Sequence, residues 1–180
     1  TVLMLATAQL EERMTRDARG IDLVVGAKGS PMQLILSGIY HADAPTGNIP
    51  LASARALEKN RMIRKSIPLA LGDSWKGYRI VGAPHSYVEH YGAKPVSGRL
   101  WEKPLEAVLG AEVAARTGVA VGGKFKGAHG IGTEPGEEHA DDYMVVGVLP
   151  KTGTVIDRLV LTSIESVWQV HEEHQGPEDD

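Results

Sequence analysis

The sequence predicts an α+β fold rather than a doubly wound parallel sheet. Short runs of β-branched and apolar residues alternate with helix-type segments, and they are joined in one place by a hairpin-like turn and in another by a helix. Of the 180 residues, 42% are hydrophobic and 23% are charged, which is ordinary for a globular protein. The chain is long enough for one domain with a proper core, or for two small subdomains that share one.

Composition excludes several classes of protein. The formal net charge is −4 and the sequence has no cluster of lysines and arginines, so nucleic acid is not an expected partner. Cysteine is absent, which excludes disulfide scaffolds, cysteine-based zinc sites and thiol catalysis, and is compatible with an oxidising compartment. No apolar run reaches the roughly 18–20 residues that span a bilayer.

The N-terminal part is predicted to begin with an amphipathic helix over residues 3–19, which ends at Gly20. A buried strand is expected over residues 21–25. The glycine-rich segment after it lacks the spacing of a phosphate-binding loop, and Pro31 removes a backbone donor that such a loop would need. Pro31 instead favours the start of a helix capped by Ser30. Helices are expected over residues 32–40 and 51–60.

The middle of the chain predicts a hairpin, with a strand at 62–71, a turn at Gly72 and Asp73, and a strand at 78–81. A short helix is expected at 84–91. Residues 98–125, GRLWEKPLEAVLGAEVAARTGVAVGGKF, predict a compact unit of strand, helix and strand that is interrupted at Gly110. The strands of this unit are expected at 106–109 and 119–121, and its helix at 111–116.

The C-terminal part begins with a predicted loop over 127–142, which is rich in glycine, acidic residues and histidine. Strands are expected at 143–149 and 158–162. A closing helix over 164–174 is expected with Ser163 as its N-cap, and an acidic tail follows at 175–180.

The unit at 98–125, followed by YMVVGVLPKTGTVIDR at 143–158, resembles the periplasmic core domain of MacB-type, FtsX-like ABC-transporter permeases. The resemblance extends from QLEERMTRDARGIDLVVGAKGSPMQLILS to IESVWQVHEEH, and thus covers most of the chain. It depends on the order and spacing of scaffold segments, since no single motif in them is diagnostic.

This resemblance implies a porter-like α/β subdomain, a smaller strand-rich subdomain inserted in it, and an N-terminal stalk helix. The stalk helix would be residues 1–20, and the discontinuous porter-like subdomain would be residues 21–99 and 152–174. The inserted subdomain would be residues 100–151, followed after the porter-like part by the acidic tail at 175–180. The insertion is short for the family, which leaves little room for a tall surface that docks an adaptor.

The resemblance also implies a function, namely an extracytoplasmic domain at the periplasmic face of a bacterial inner membrane. Such a domain is non-catalytic and requires no cofactor, and it couples ATP hydrolysis in a cytoplasmic subunit to the handling of a periplasmic substrate or partner. The implied partners are the ATP-binding subunit, a second permease protomer, and a periplasmic adaptor or substrate protein. Membrane segments are expected on both sides of the domain.

Histidines support the main alternative, a periplasmic metal-binding or sensing domain. His129 and His139 lie in one segment among glycines and carboxylates, and with a third ligand they could hold zinc. His171 and His174 are three residues apart, whereas the hydrolytic zinc motif H-E-x-x-H needs four. His129 and His139 are therefore the predicted metal ligands, if a metal binds.

A third hypothesis is a small stand-alone enzyme. The nearest sequence to a serine-hydrolase elbow is GDSWKG at 72–77, which is one residue longer than the G-x-S-x-G pattern. No catalytic constellation is evident in the sequence, so no catalytic residue is predicted.

Overall fold

The computed structural model describes residues 2–130 and 138–172, which form helices packed on a mixed sheet. Its helices are α1 (Val2–Asp17), α2 (Pro31–Gly38), α3 (Leu51–Glu58), α4 (His85–His90), α5 (Ala111–Thr117) and α6 (Ile164–Glu172). Its strands are β1 (Ala70–Trp75), β2 (Tyr78–Gly82), β3 (Ser97–Gly98), β4 (Glu106–Leu109), β5 (Lys124–His129), β6 (Glu138–Val148) and β7 (Leu159–Thr162). A 3₁₀ turn, Val155–Arg158, precedes β7. The predicted α+β class is confirmed.

The strands form one sheet in the order β3-β6-β4-β7-β2-β1-β5. Because β5 also pairs with β6, all of these strands except β3 close into a ring of hydrogen-bonded neighbours. β2 is parallel to β7 and β4 is parallel to β6, while the remaining pairs are antiparallel. Most of the strands therefore have a partner on each side.

Strands from both predicted subdomains belong to this sheet. β4, from the predicted insertion, pairs with β7, which belongs to the second part of the predicted porter-like subdomain. The predicted boundaries near residues 100 and 151 therefore do not separate two sheets. The division into subdomains stays a prediction.

Successive side chains of a strand point to opposite faces of the sheet, and both faces are buried here. Ile80 and Val160 point to one cluster, whereas their neighbours Val81 and Leu161 point to another. We call the first cluster the ring core, since every strand of the ring contributes to it. Its buried members are Trp75, Ile80, Ala107, Leu109, Val113, Phe125, Tyr143, Val145, Val160 and Val170. The second cluster packs beneath α4, through side chains such as Tyr87 and Val88.

The hairpin of β1 and β2 is confirmed, but its turn is displaced from the predicted position. The turn lies at Lys76 and Gly77, whose φ angles of 50° and 79° match the two-residue type I′ turn that suits the twist of a hairpin. Gly72 and Asp73, predicted to be the turn, lie inside β1, where the pairing with β2 skips Gly72 as a β-bulge. Glycine is typical of bulges as well as of turns, and sequence alone did not separate the two.

Other predicted elements are also wrong or displaced. Residues 21–25 are not a strand, and Leu23 and Val25 are 72% and 48% exposed, because no described strand pairs with them. Residues 62–69 and 119–121 are likewise outside the strands, since β1 begins at Ala70 and β5 at Lys124. The predicted loop at 127–142 contains the ends of β5 and β6, where strand pairing overrides the glycine-rich and acidic composition.

The helix predicted at the N-terminus is present as α1, and residues 2–15 of it are exposed. The C-terminal end of α1 is hydrogen-bonded to the rest of the domain. The Arg16 guanidinium donates to the Gly153 carbonyl at 3.3 Å, and the buried Asp17 carboxylate accepts from the Val155 N–H at 2.7 Å. The Tyr91 hydroxyl donates to the Asp17 carbonyl at 3.2 Å. None of the described helices is both long and apolar enough to cross a lipid bilayer.

Candidate metal centre

Asp73 is a buried carboxylate that faces the ring core. The bulge at Gly72 explains this orientation, because β1 pairs Leu71 with Val81 before the bulge but Asp73 with Ile80 after it. Leu71 accordingly packs against the second cluster, while the side chain of Asp73, with 0% exposure, points to the same face as Ile80. In a regular strand, residues two apart share a face, so the bulge is what turns Asp73 inward.

His129 lies directly across from Asp73. β1 and β5 are antiparallel, with Asp73 opposite His129 and Ser74 opposite Ala128, and opposite residues point to the same face. The Nδ1 atom of His129 lies 3.6 Å from Oδ1 of Asp73, and the His129 side chain is 35% exposed. The Gly130 N–H donates to the Gly72 carbonyl at 3.0 Å, which holds the ends of the two strands together.

His171 comes from the last turn of α6. Ser163 caps the start of this helix as predicted, since its hydroxyl accepts from the Ser166 N–H at 3.1 Å. Val167 and Val170 are buried and hold the helix on the sheet. This packing places Nε2 of His171 3.3 Å from Oδ1 of Asp73, with the His171 side chain 38% exposed.

These residues form what we call the Asp–His cluster: Asp73, His129 and His171. One potential ligand atom from each lies within 4.8 Å of the other two, and the imidazole centroids are 5.0 Å apart. The carboxylate is buried and the imidazoles reach solvent, so an ion could approach from the imidazole side. Carboxylate oxygen and imidazole nitrogen are both common ligands of zinc.

Tyr143 and Asp141 add to the electrostatics beside the cluster. Burial raises the pKa of the Tyr143 hydroxyl, and the negative charges of Asp73 and Asp141 raise it further. The hydroxyl is therefore neutral at physiological pH. Among the described residues, neither this hydroxyl nor the buried Oδ2 of Asp141 has a hydrogen-bond partner. Two carboxylates thus act on one buried region, and their potential favours a cation.

Arg79 supplies a buried positive charge in a neighbouring cleft. The side chain lines a cleft of about 410 Å³ together with Asp43, Gly72 and Gly130. Its Nη2 donates to the Asp43 carbonyl, and burial lowers its pKa against the opposing effect of Asp43. Nε and Nη1 of Arg79 have no hydrogen-bond partner in the described part of the chain. The cleft is thus lined by both a cation and Asp43, and none of its described lining residues is part of the Asp73, His129 and His171 group.

Of the two metal ligands predicted from the sequence, the structure brings one into the Asp–His cluster. His129 lies in the cluster, whereas His139 lies in β6 and its side chain is outside the described part of the chain. His171 was judged by its spacing to His174, which is also outside the described residues. This spacing along the chain has no bearing on the cluster, because the partners of His171 come from β1 and β5. Asp73 was missed because Gly72-Asp73 was predicted to be a turn.

No family model and no curated protein matches the chain. Among solved structures, the extracellular domain of the noncanonic ABC-type transporter YknZ from Gram-positive bacteria is 11% identical, with a TM-score of 0.46 over 69% of this chain and 67% of that one. The periplasmic region of MacB from Actinobacillus actinomycetemcomitans is 17% identical, with a TM-score of 0.45 over 68% of this chain and 58% of that one. The resemblance predicted from the sequence named the same kind of domain.

Proposed function

We propose that this chain is the extracytoplasmic domain of an ABC-transporter permease, at the periplasmic face of a bacterial inner membrane. The proposal is supported by the sequence resemblance, which covers most of the chain, and by the form of α1. In this role the domain is non-catalytic. It transmits movements driven by a cytoplasmic ATP-binding subunit to a periplasmic substrate or partner, and it works beside a second permease protomer.

The observation that carries the proposal is the exposure of α1. This helix has 16 residues and is thus about 24 Å long, and its exposed surface includes large apolar side chains. The most exposed of them are Val2, Leu3, Met4, Leu5 and Leu10. A helix that projects from a domain and keeps such side chains in solvent is typical of a segment with a further partner. A stalk that continues toward a membrane fits this description.

The attachment of α1 explains how a stalk could act on the domain. Asp17 and Arg16 bond to the backbone of Val155 and Gly153, next to the 3₁₀ turn that leads into β7. β7 lies inside the sheet, between β4 and β2. A change in the tilt of α1 would therefore be passed to the centre of the sheet and not to a loose edge.

The test uses the intact permease with its ATP-binding subunit in membrane vesicles. Ala8→Pro interrupts α1 in its exposed part, because proline removes a helix hydrogen bond and clashes with the preceding turn. We expect the assembly to form normally while the stimulation of ATP hydrolysis by the periplasmic partner is lost. Ala8→Gln at the same exposed position is the matched control and should keep the stimulation.

Full stimulation in the proline variant would contradict the coupling role. The reading frame around this segment tests the membrane setting separately. Hydrophobic segments of about 20 residues on both sides are expected, and a stop codon directly after Asp180 would overturn the permease assignment.

A second candidate, a periplasmic metal-binding or sensing domain, is favoured by the Asp–His cluster. It requires only that the cluster binds metal, and it is compatible with a place in the same permease.

A further inference from the structure

We propose that Asp73, His129 and His171 form a Zn²⁺ site that links α6 to the paired strands β1 and β5. The inference does not depend on the permease role, and it deepens the second candidate function by naming the metal and its ligands. The site would have three protein ligands, with the fourth position open to water or to a further ligand.

Two of the three ligand separations match a tetrahedral ion. Zinc bonds of about 2.0–2.2 Å place adjacent ligand atoms of a tetrahedron about 3.3–3.6 Å apart, whereas an octahedral ion at the same bond lengths would place them about 2.8–3.1 Å apart. The distances from Asp73 Oδ1 to His171 Nε2 and His129 Nδ1 are 3.3 Å and 3.6 Å. Two edges of the tetrahedron are therefore close to their required length.

The third edge, between the two imidazoles, is within 4.8 Å. Both rings are partly exposed, so they have room to turn and bring the two nitrogens closer together. The buried Asp73 cannot move as easily, because its strand is paired on both sides. A fixed carboxylate with two adjustable imidazoles is thus largely organised for metal before the ion arrives.

Electrostatics favour a cation at this point. Asp73 is buried, and the hydroxyl of Tyr143 experiences the negative charges of both Asp73 and Asp141. A divalent ion would add positive charge to this region from the side on which the imidazoles reach solvent. The neighbouring Arg79 lies in the adjacent cleft, where it donates to the Asp43 carbonyl.

The ligand types select among metals. Two imidazoles and one carboxylate disfavour Mg²⁺ and Ca²⁺, which prefer oxygen ligands throughout. Soft Cu⁺ prefers thiolate or thioether ligands, which the cluster does not provide. Imidazole suits zinc as well as Cu²⁺, Fe²⁺ and Ni²⁺, and among these the two separations from Asp73 favour the tetrahedral zinc ion.

The three ligands come from three elements, and this suggests what the metal does. β1 and β5 are joined by two residue pairs, Asp73–His129 and Ser74–Ala128. α6 is held on the sheet by apolar contacts, and His171 lies in its last turn. Zinc would therefore strengthen the closure of the ring and fix α6 at the same time.

The test is a zinc titration of the chelator-treated chain by calorimetry, with thermal unfolding measured in parallel. The wild-type chain should bind one zinc ion, and its melting temperature should rise by about 5–10 °C when free zinc exceeds the dissociation constant 100-fold. Cobalt at the same site should give the intense visible absorption of a tetrahedral complex. His129→Gln and His171→Gln should each weaken zinc binding at least tenfold, with unchanged circular dichroism without metal.

His90→Gln is the histidine control, and Asp142→Asn is the acidic control on β6, which pairs with β5. Both should bind zinc as the wild type does. Asp73→Asn keeps the shape of the carboxylate without its charge and should also weaken zinc binding at least tenfold.

The proposal is overturned by absence of stoichiometric binding, by octahedral cobalt spectra, or by unchanged binding in the His171→Gln chain. None of these results bears on the permease role, which is tested by coupling in vesicles. Conversely, a failure of coupling in vesicles would not argue against the zinc site.

Discussion

The buried carboxylate of Asp17 accepts a hydrogen bond from the backbone N–H of Val155 at 2.7 Å and so joins the end of α1 to the turn before β7. Burial raises the pKa of Asp17, while the bond from Val155 and the charges of Arg158, Arg13 and Arg16 oppose this effect. One backbone donor and three nearby arginines thus offset part of the cost of burying the carboxylate. It is the main polar anchor of a helix that is otherwise exposed.

Asp17→Ala should detach the end of α1. The variant leaves the N–H of Val155 without its acceptor, and lost hydrogen bonds to charged groups cost about 1.5–3 kcal/mol. We expect the free energy of unfolding, measured in urea, to fall by about that amount.

Glu12→Ala is the control for this prediction, because Glu12 pairs with Arg16 on the exposed part of α1 with 71% of its side chain accessible. Exposed pairs of this kind contribute at most about 1 kcal/mol. Equal losses in the two variants would argue against the anchoring role of Asp17.

Glu106 should make the protein sensitive to acid. Its carboxylate accepts two hydrogen bonds from Arg99 at 2.6 and 2.7 Å, and further bonds from the N–H groups of Glu102 and Lys103. The Arg99 bonds first, and then the backbone bonds, lower its pKa from 4.5 to about 2. Because the folded pKa is the lower one, this stabilisation is complete above pH 4.5 and is lost as the pH falls toward 2.

Melting temperatures between pH 6 and pH 2.5 check this prediction. Glu106→Gln should melt at a lower temperature at pH 6 and should depend less on pH below 4.5. Parallel curves for the variant and the wild type in that range would show that the contribution of Glu106 to acid sensitivity is negligible.

His41 should produce a second loss of stability at milder acidity. Burial, followed by the charges of Arg79 and Arg158, lowers its pKa from 6.5 to about 3, and its Nε2 lies 2.8 Å from the Tyr87 hydroxyl. In the unfolded chain the imidazole takes up a proton near pH 6.5, whereas in the folded chain it stays neutral. Stability therefore falls as the pH drops from 6.5 toward 3, with a slope of at most about 1.4 kcal/mol per pH unit.

Urea unfolding at pH 7.5 and pH 5 measures this slope. His41→Gln keeps a polar group for the Tyr87 hydroxyl but does not titrate, so the difference between the two pH values should shrink. An unchanged difference would mean that His41 is already protonated, or exposed, in the folded chain.

Gly110→Ala should destabilise the junction between β4 and α5. A Cβ atom at this position would lie 2.1 Å from the Ile156 carbonyl oxygen and 2.5 Å from that of Asp157. The backbone around the 3₁₀ turn would have to move, and overpacking of this type costs about 1–3 kcal/mol. Urea unfolding should detect the loss. Gly72→Ala is the control, since its nearest atom would be at an ordinary 3.5 Å, and a similar loss there would argue against the steric explanation.

The sequence by itself determined the elements whose signals are local. β4 and its interruption at Gly110 are present as predicted, and α5 ends at Gly118, whose φ of 69° suits a left-handed C-cap. The caps at Ser30 and Ser163 are also formed by their own neighbours in the chain. Such features depend on hydrogen bonds and steric limits within a few residues, so composition and spacing are sufficient to predict them.

Only the tertiary structure decided which residues meet. The bulge at Gly72 turns Asp73 to the ring core, the pairing of β1 with β5 brings His129 opposite it, and the packing of α6 adds His171. Residues 21–25 have the composition of a strand, but no strand in the described part of the chain pairs with them. Strand pairing and helix packing are contacts between distant parts of the chain, and their free energy depends on the assembled sheet and not on the residues of one segment.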